Sequence, residues 1–457
     1  MRRKLLALLC ISAMTAGLLG GCGNGETQEN AADAGNAAAQ GQQEAADNGA
    51  ADSDNTLYIH YMTCRNETQA EILAMQDIAK SYQEEHPELD FTFEVESIPD
   101  RTSYLQKLKI LGASDELPEW FESDPDTWVA SIAEQGKIYD INSLYDELGM
   151  QDKIFDISKE YAKLNDGSLW LMTFQCNTEY FFYHKNMFED AGITKEPATF
   201  DEFIDVCDKL KAKGYTPLAV GSDWPPLRYF AMIPFRMTGN EYIQNAVSGK
   251  ASFGEEAGLK AAEFMQKMGE YYQVGWTTSD SNTMIDLFTS GQTAMLYNGT
   301  WALQDLTDEN KQLIDDIDYF TMPTYADTDV TAATDFFANS GIGTAVRADA
   351  MTDQMKDFIG YLLDHYAEAA LSHNILPSVM PSEETIASLP EVYQQVIKDV
   401  EGVEQYAKCW DVVIDSASVE PLEKETTSLI LGEVTPEEWA ANMDEIVKEN
   451  LANLKSE

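Results

Sequence analysis

Histidine and cysteine are the side chains best suited to metal binding or nucleophilic catalysis in this 457-residue chain. The five histidines show no zinc-ligand spacing, and two of them, His365 and His373, lie eight residues apart in a run with helical periodicity. No C-x-x-C pair occurs, and after the N-terminal segment the cysteines stand alone, at Cys64, Cys176, Cys207 and Cys409. We therefore expect no metal and no cofactor, while disulfide formation stays open.

Motifs of the common enzyme classes are absent as well. The sequence has no G-x-S-x-G, no H-E-x-x-H and no P-loop, and Gly341-Ile342-Gly343 lacks the third glycine of a dinucleotide fingerprint. The 79 acidic residues create paired carboxylates by chance, so such pairs do not favour a glycosidase. We therefore expect a protein that is not an enzyme.

Cys22 is the residue whose surroundings indicate a covalent modification. A basic start at residues 2–4 and an apolar stretch at residues 5–19 are typical of a signal peptide and too short for a spanning helix. Leu19-Gly20-Gly21-Cys22 resembles the bacterial lipobox, in which the thiol receives a diacylglyceryl group and the mature N-terminus carries acyl chains such as palmitate. The alternative is a plain secretory signal with an incidental Cys22. We predict a signal peptide at 1–21 and a lipid anchor on the extracytoplasmic face of the cell membrane.

Composition divides the remaining chain into a tether and a body. Residues 22–55 contain almost only small and polar side chains, which predicts a disordered acidic tether. About 400 residues follow, which favours two lobes. A formal net charge of −49 argues against nucleic acid and against direct binding to anionic lipid.

Hydrophobic periodicity predicts alternating strands and helices. Residues 57–61 alternate as in a strand, residues 72–82 recur at helical spacing until Pro87, and residues 91–95 alternate again. Capping boxes at Thr199 and Thr435 predict two later helices. The pattern indicates an α/β fold with open, mostly parallel sheets, which bind ligands at the carboxyl ends of their strands.

Four stretches resemble the extracellular solute-binding proteins of carbohydrate ABC importers, the family 1 group that includes the maltose-binding protein. They are residues 81–87 with the following strand, the block 183–203, the F-T-S-G-Q-T-A-M…N-G-T-W segment at 288–301, and the terminal helix from Thr435. His184 stands where the family usually has Asn. The resemblance implies a two-lobe, periplasmic-binding-protein-like (type II) fold with a hinged ligand cleft.

The same resemblance implies a division into lobes and a role. We expect lobe 1 at 56–176 plus 341–388 and lobe 2 at 177–340 plus 389–457, with crossings near 175–177 and 339–343. The glycines at 341 and 343 suit a crossing because of unusual backbone angles or because of close strand packing. The implied protein is a monomer that captures a sugar and delivers it to ABC transporter permease subunits. The alternatives are a lipid-anchored carbohydrate-active enzyme and a sugar-sensing lipoprotein that serves a sensor kinase.

Aromatic candidates for the sugar site follow from the shape of a pyranose, which has an apolar face and a hydroxyl rim. Trp301 occupies the position where the family commonly places a stacking aromatic ring. Trp224 lies in a loop of turn-forming residues, and Trp410 lies where relatives often present an aromatic side chain. For each of them, core packing is the alternative.

Polar candidates for the hydroxyl rim are Arg65, Glu67, Asp124, Asn177 and Arg228. Arg65 and Glu67 follow the first predicted strand, at the edge where a cleft is expected, although an ordinary polar helix start explains them equally well. Asp124 matches the acidic loop of the family, and Asn177 matches a position that contributes a polar group to the cleft. The identity and length of the sugar stay open, and Arg65 or Arg228 leaves room for a uronate.

Overall fold

The computed structural model describes residues 55–457 except 100, 165, 223, 409, 411–413, 415 and 455–457. The predicted signal peptide, Cys22 and the predicted tether up to residue 54 lie outside the described residues, and so does Cys409. Within the described part of the chain, no helix has the length and apolar character that crossing a bilayer requires. Cys176 and Cys207 are buried and carry free thiols.

Two separate sheets organise the body. The first has the strand order β2-β1-β3-β9, and the second has the order β5-β6-β4-β7, with β8 paired to β4. Their bounds are β1 (Thr56–Thr63), β2 (Asp90–Ser97), β3 (Trp120–Ser123), β4 (Asn177–His184), β5 (Thr216–Ala219), β6 (Thr293–Gly299), β7 (Ile317–Phe320), β8 (Ala338–Asn339) and β9 (Gly343–Val346).

The two sheets differ in strand direction. In the first sheet β1 pairs with β2 and β3 in parallel, and only β9 is antiparallel. In the second sheet β5 and β6 are parallel, but β4 pairs antiparallel with β6, β7 and β8. The expectation of mostly parallel sheets is therefore wrong for the second sheet, because β4 runs opposite to each of its three partners.

Helices pack on both sheets. Their bounds are α1 (Ala70–Glu85), α2 (Arg101–Ala113), α3 (Thr127–Glu134), α4 (Ile141–Leu148), α5 (Asp156–Ala162), α6 (Lys185–Asp190), α7 (Phe200–Lys213), α8 (Trp224–Thr238), α9 (Glu241–Val247), α10 (Glu256–Met268), α11 (Ser281–Thr289), α12 (Leu303–Leu306), α13 (Asp353–Ser372), α14 (Glu383–Ser388), α15 (Glu391–Glu401), α16 (Ser416–Ile430) and α17 (Pro436–Leu454). Short 3₁₀ turns occur at Gly269–Tyr271, Trp276–Thr278, Thr300–Ala302 and Ala348–Ala350.

Local sequence explains where these helices begin. The predicted β-α-β unit is present as β1, α1 and β2. At α7 the Thr199 hydroxyl accepts the Glu202 N–H at 3.2 Å. At α17 the box is reciprocal, since Glu438 N donates to the Thr435 hydroxyl and Thr435 N donates to the Glu438 carboxylate. Both capping predictions are confirmed.

Buried side chains form two hydrophobic cores, one around each sheet. The first core draws on buried residues between 57 and 174 and again between 345 and 379. The second draws on residues between 155 and 338 and again between 371 and 447, including Phe155 and Ile157 of the α5 segment. Two cores on two sheets give the mixed α/β two-lobe fold. The lobe bounds given above stay a prediction.

Two glycines shape the segment that leads from β8 to β9. Gly341 has φ +69°, and a Cβ there would lie 2.8 Å from Arg65 Nη2. Gly343 has no positive φ, but a Cβ there would lie 2.7 Å from Leu171 Cβ. The backbone-angle explanation therefore holds at Gly341 and the close-packing explanation at Gly343.

Candidate functional site

The segments that connect the two cores carry three amide side chains in hydrogen-bond contact, Gln175, Asn177 and Asn339, which we name the amide row. Asn177, the first residue of β4, donates from Nδ2 to Gln175 Oε1 at 2.7 Å and to Asn339 Oδ1 at 3.2 Å. Gly341 N also donates to Asn339 Oδ1. Asn177 is buried, with 6% of its surface exposed. These contacts tie two connecting segments to each other with polar groups.

Beside this row, the first lobe holds one arginine between two carboxylates; we name Arg65, Glu71 and Glu122 the Arg65 cluster. Arg65 Nε donates to Glu122 Oε1 at 2.8 Å, and Arg65 Nη2 lies 3.1 Å from Glu71 Oε2. Glu71 and Glu122 are 1% and 0% exposed. Gln175 Nε2 donates to Glu71 Oε2 at 2.6 Å, which joins the cluster to the connecting segment.

Glu122 is also the hydrogen-bond centre of its strand end. It lies on β3 and accepts the Thr63 hydroxyl at 2.7 Å, the Cys64 N–H at 2.9 Å and the Tyr61 hydroxyl at 3.0 Å. Several donors to one carboxylate satisfy its acceptor capacity in a buried position. The end of β1 is thereby fixed to the end of β3.

Glu71 is less well compensated than Glu122. Burial raises the pKa of Glu71 to about 7, although the Arg65 charge lowers it and the Glu122 charge raises it further. Its Oε1 atom is buried and accepts no hydrogen bond from any residue that the structure describes. For Arg65, burial lowers the pKa, but the charges of Glu71 and Glu122 raise it to a net value above the usual range. Arg65 is therefore a permanent cation.

The second lobe holds its arginine differently; we name Glu179, Arg228 and Tyr297 the Arg228 cluster. Arg228 Nε lies 3.0 Å from Glu179 Oε2, and the Tyr297 hydroxyl donates to the same oxygen at 2.7 Å. Asn339 Nδ2 lies 3.5 Å from Glu179 Oε1. Glu179 and Arg228 are 0% and 4% exposed. One buried carboxylate therefore balances one buried guanidinium next to the amide row.

Two half-buried indole rings adjoin the Arg228 cluster. Trp224 and Trp301 meet edge to face, with ring centroids 5.8 Å apart and planes at 72°. The Arg228 guanidinium carbon lies 5.4 Å from the centroid of the Trp224 ring. The Trp301 ring folds back over Gly299, where a Cβ would lie 2.0 Å from a ring carbon. Glycine at 299 is therefore required for this position of Trp301.

Trp301 is also connected to the amide row through its neighbour in the chain. The Thr300 hydroxyl lies 3.5 Å from Asn177 Oδ1, and Thr178 N donates to the same hydroxyl at 3.3 Å. The structure thus brings four predicted site residues together on one side, namely Asn177, Trp224, Arg228 and Trp301. Arg65 lies on the other side of the amide row.

Trp410 does not lie with the other tryptophans of the predicted site. It is 0% exposed and packs against Phe230 and Phe253, and its Nε1 donates to Leu227 O at 2.5 Å. The expectation that Trp410 stacks on a ligand is therefore wrong for this structure, because the ring has neither free surface nor a free donor.

Glu67 and Asp124 lie at the carboxyl ends of neighbouring strands. Glu67 is exposed in the turn between β1 and α1, and Asp124 is half-buried directly after β3. Since β1 and β3 are parallel, both residues belong to the sheet edge that carries Arg65 and Glu122.

Sequence reasoning missed the two carboxylates that hold the arginines. Glu122 ends the run Trp120-Phe121-Glu122, and Glu179 precedes Tyr180-Phe181-Phe182, so each is a single charge in a buried strand. A lone acidic residue in an apolar strand is a usable signal, because a buried charge needs a partner. Glu71, Gln175, Asn339 and Tyr297 carry no comparable signal.

A cavity of about 760 Å³ lies away from these clusters. Its walls come from residues 151–161 of the α5 region and residues 400–408, with Ala338 between them. Ala338 precedes Asn339 in β8, and adjacent strand residues face opposite sides. This rear cavity therefore lies on the face of the connecting segment opposite the amide row, and it contains none of the predicted site residues.

The arrangement suits binding of a polyhydroxylated ligand. Amides, carboxylates and guanidinium groups can donate to and accept from hydroxyl groups, and two adjacent indole rings offer apolar faces. Among the described residues, no group of three His, Cys, Asp or Glu side chains is placed to hold a metal ion.

Two lobes, two cores and a polar and aromatic cluster at their connection define a two-lobe binding protein. The chain belongs to the family of bacterial extracellular solute-binding proteins, whose sequence profile matches residues 66–368. The resemblance inferred from the four sequence stretches is thereby confirmed.

Named relatives and solved structures are similar to this chain at low identity. The multiple sugar-binding protein of Streptococcus mutans is 21% identical over 285 residues, covering 59% of this chain and 63% of that protein. The lactose-binding protein of Rhizobium radiobacter is 24% identical over 343 residues, covering 71% and 75%. A solved chitin oligosaccharide binding protein has a TM-score of 0.72 at 23% identity, covering 87% of this chain and 100% of that chain.

Coverage of the relatives is partial. The chain spans between 28% and 63% of the length of seven curated relatives that it matches. The solved structure supports the two-lobe fold.

Proposed function

We propose that this chain is a membrane-anchored, extracytoplasmic substrate-binding protein that captures a sugar or oligosaccharide between its lobes and delivers it to an ABC importer permease. The observation that carries the proposal is the joining of Arg65, the amide row and the Trp224–Trp301 pair at the connection of the two lobes. The names of the relatives, which include lactose-binding and chitin oligosaccharide binding proteins, support a carbohydrate.

Capture follows from the position of these groups. The indole rings of Trp224 and Trp301 cover the apolar face of a pyranose, and Arg65, Asn177 and Arg228 exchange hydrogen bonds with its hydroxyl groups. A ligand that contacts both clusters favours the arrangement in which the lobes lie close together, because only that arrangement provides all the contacts. A permease distinguishes this closed form from the free form.

Anchoring is proposed from the N-terminal sequence alone. The signal-like segment and the Leu19-Gly20-Gly21-Cys22 motif support acylation of Cys22, and the low complexity of residues 23–55 supports a flexible spacer. Fractionation of a Cys22→Ala variant tests this part. Membrane retention of a processed but unacylated variant contradicts it.

A thermal-shift screen of the purified chain against a carbohydrate panel tests the binding function. A ligand at 100 times its dissociation constant stabilises the native state by about 2.7 kcal/mol. A panel of amino acids, peptides and polyamines provides the control for other solute classes. Stabilisation only by a non-carbohydrate contradicts the proposal, and so does turnover of a bound glycoside that a single carboxylate substitution abolishes.

A further inference from the structure

The two arginines of the site could attract an acidic ligand, so their electrostatic environment decides which sugars the site accepts. In the Arg65 cluster one guanidinium faces two carboxylates, which gives a charge of +1 − 2 = −1 when both are ionised. When Glu71 holds a proton, the sum is +1 − 1 = 0. In neither state does the cluster carry a positive charge.

Arg228 is also paired with a buried carboxylate. Arg228 lies 3.0 Å from Glu179, which is fully buried, and the charges sum to zero. Since neither partner has much contact with water, a second anion would have to compete with Glu179 for the same guanidinium in a poorly screened environment.

The Arg65 cluster has two buried atoms that make no hydrogen bond with the residues that the structure describes, the donor Arg65 Nη2 and the acceptor Glu71 Oε1, and only Nη2 has an ion-pair partner, at 3.1 Å. Glu71 Oε1 is a buried acceptor without a donor among the described residues. A sugar hydroxyl donates a hydrogen bond, whereas a carboxylate group only accepts. Glu67 and Asp124, at the same sheet edge as Arg65, add further acidic groups.

We propose that this site selects neutral, hydroxyl-rich saccharides and rejects the corresponding uronic acids. The inference rests on the proposed carbohydrate-binding function and specifies its ligand class. Arg65 and Arg228 act as donors whose charge is already neutralised by buried glutamates, so they orient hydroxyl groups and do not recruit anions.

Paired sugars that differ only at C6 test the selectivity. We expect glucose and galactose, or oligosaccharides built from them, to bind at least about tenfold more tightly than the matching glucuronates and galacturonates in calorimetry at pH 8. A uronate that binds as tightly as its neutral partner overturns the selectivity and leaves the carbohydrate function intact. If no member of any pair binds, while a non-carbohydrate does, both proposals fail.

A substitution that removes one negative charge from the Arg65 cluster sharpens this test. Glu71→Gln removes one negative charge and keeps the side-chain shape, so the ratio of neutral to uronate affinity should fall at least about threefold at pH 8. Glu88→Gln removes the same charge from an exposed position before β2 and serves as the control, with no change in the ratio. An unchanged ratio in a folded Glu71→Gln protein contradicts the electrostatic explanation, and so does an equal change in both variants.

Discussion

The Arg65 cluster and the Arg228 cluster both hold a guanidinium beside at least one buried carboxylate, but the side chains around it differ. Each holds a buried guanidinium next to the amide row, but the first uses two carboxylates and the strand-end donors, while the second uses one carboxylate and aromatic neighbours. The first lobe is therefore specialised for charge and hydrogen bonding. The second lobe combines a balanced ion pair with stacking surface.

Trp410 in the core and Trp301 in the proposed site should differ in how much they contribute to the free energy of unfolding. Trp410 is fully buried, whereas Trp301 is half-buried beside Trp224. We expect Trp410→Ala to lower the free energy of unfolding by about 3–5 kcal/mol, because it leaves a large cavity. Urea unfolding measures this loss. A stability loss below about 1 kcal/mol would place Trp410 back among the cleft candidates.

Removing the Glu122 carboxylate should lower the free energy of unfolding nearly as much as Trp410→Ala does. Glu122→Ala leaves the Tyr61, Thr63 and Cys64 donors without this acceptor and removes one of the two carboxylates that face Arg65. We expect a loss of about 3–5 kcal/mol in the free energy of unfolding. Glu116→Ala, an exposed position before β3, should change stability by less than about 0.5 kcal/mol. Equal losses in the two variants would refute the role of Glu122.

Proton binding at Glu71 should make the contribution of the Arg65 cluster to folding stability depend on pH. Its pKa is raised from 4.5 to about 7, so the folded state holds the proton more tightly than the unfolded chain. This contribution to stability is complete below about pH 4.5 and is lost as the pH rises through about 7. The groups that face Glu71 are Arg65, Glu122, Tyr61 and Tyr366.

Comparison with Glu71→Gln isolates that contribution from other titrating groups. The stability of the wild-type protein relative to the variant should fall by a few kcal/mol at most between pH 4.5 and pH 8. Chemical unfolding of both proteins across this range provides the measurement. A stability difference that stays constant with pH contradicts a raised pKa at Glu71.

Trp301→Ala should affect binding more than folding. Loss of the stacking surface is expected to weaken sugar binding by about 2 kcal/mol, which is about thirtyfold in the dissociation constant, with a smaller change in unfolding. Calorimetric binding and urea unfolding on one preparation separate the two effects. Near-wild-type affinity in a folded variant removes Trp301 from the site.

Gly299→Ala should produce the smallest of these effects. A Cβ at this position displaces the Trp301 ring without removing it, so we expect about a tenfold loss of affinity. Gly402→Ala, at another glycine with a negative φ, where a Cβ would lie 3.5 Å from the nearest atoms, tests for a general effect of replacing glycine. An equal loss of affinity in Gly402→Ala, or unchanged affinity in a folded Gly299→Ala protein, would contradict the argument.

Local periodicity and capping residues predicted the first two strands and several helices, whereas the ligand-binding roles of the site residues stay predictions. The β1-α1-β2 unit and both capping boxes depend on local sequence. The expectation that Trp224 lies in a loop is wrong, because Trp224 is the first residue of α8, where two prolines suit the first turn of a helix. Trp410 was misplaced, because whether an aromatic residue is buried depends on which distant helices cover it. Antiparallel pairing of β4 was missed since strand direction depends on the path of the whole chain.

The edge-to-face pair of Trp224 and Trp301 has an optical consequence. Of the eight tryptophans, these two touch each other beside a guanidinium group, whereas Trp120, Trp410 and Trp439 are enclosed in the cores. Stacking of a solute on the pair would change the polarity around both indole rings and leave the enclosed rings unaffected. The intrinsic fluorescence of the unlabelled protein would then report occupancy directly, and the emission difference between the native chain and Trp301→Phe would isolate the signal of the pair.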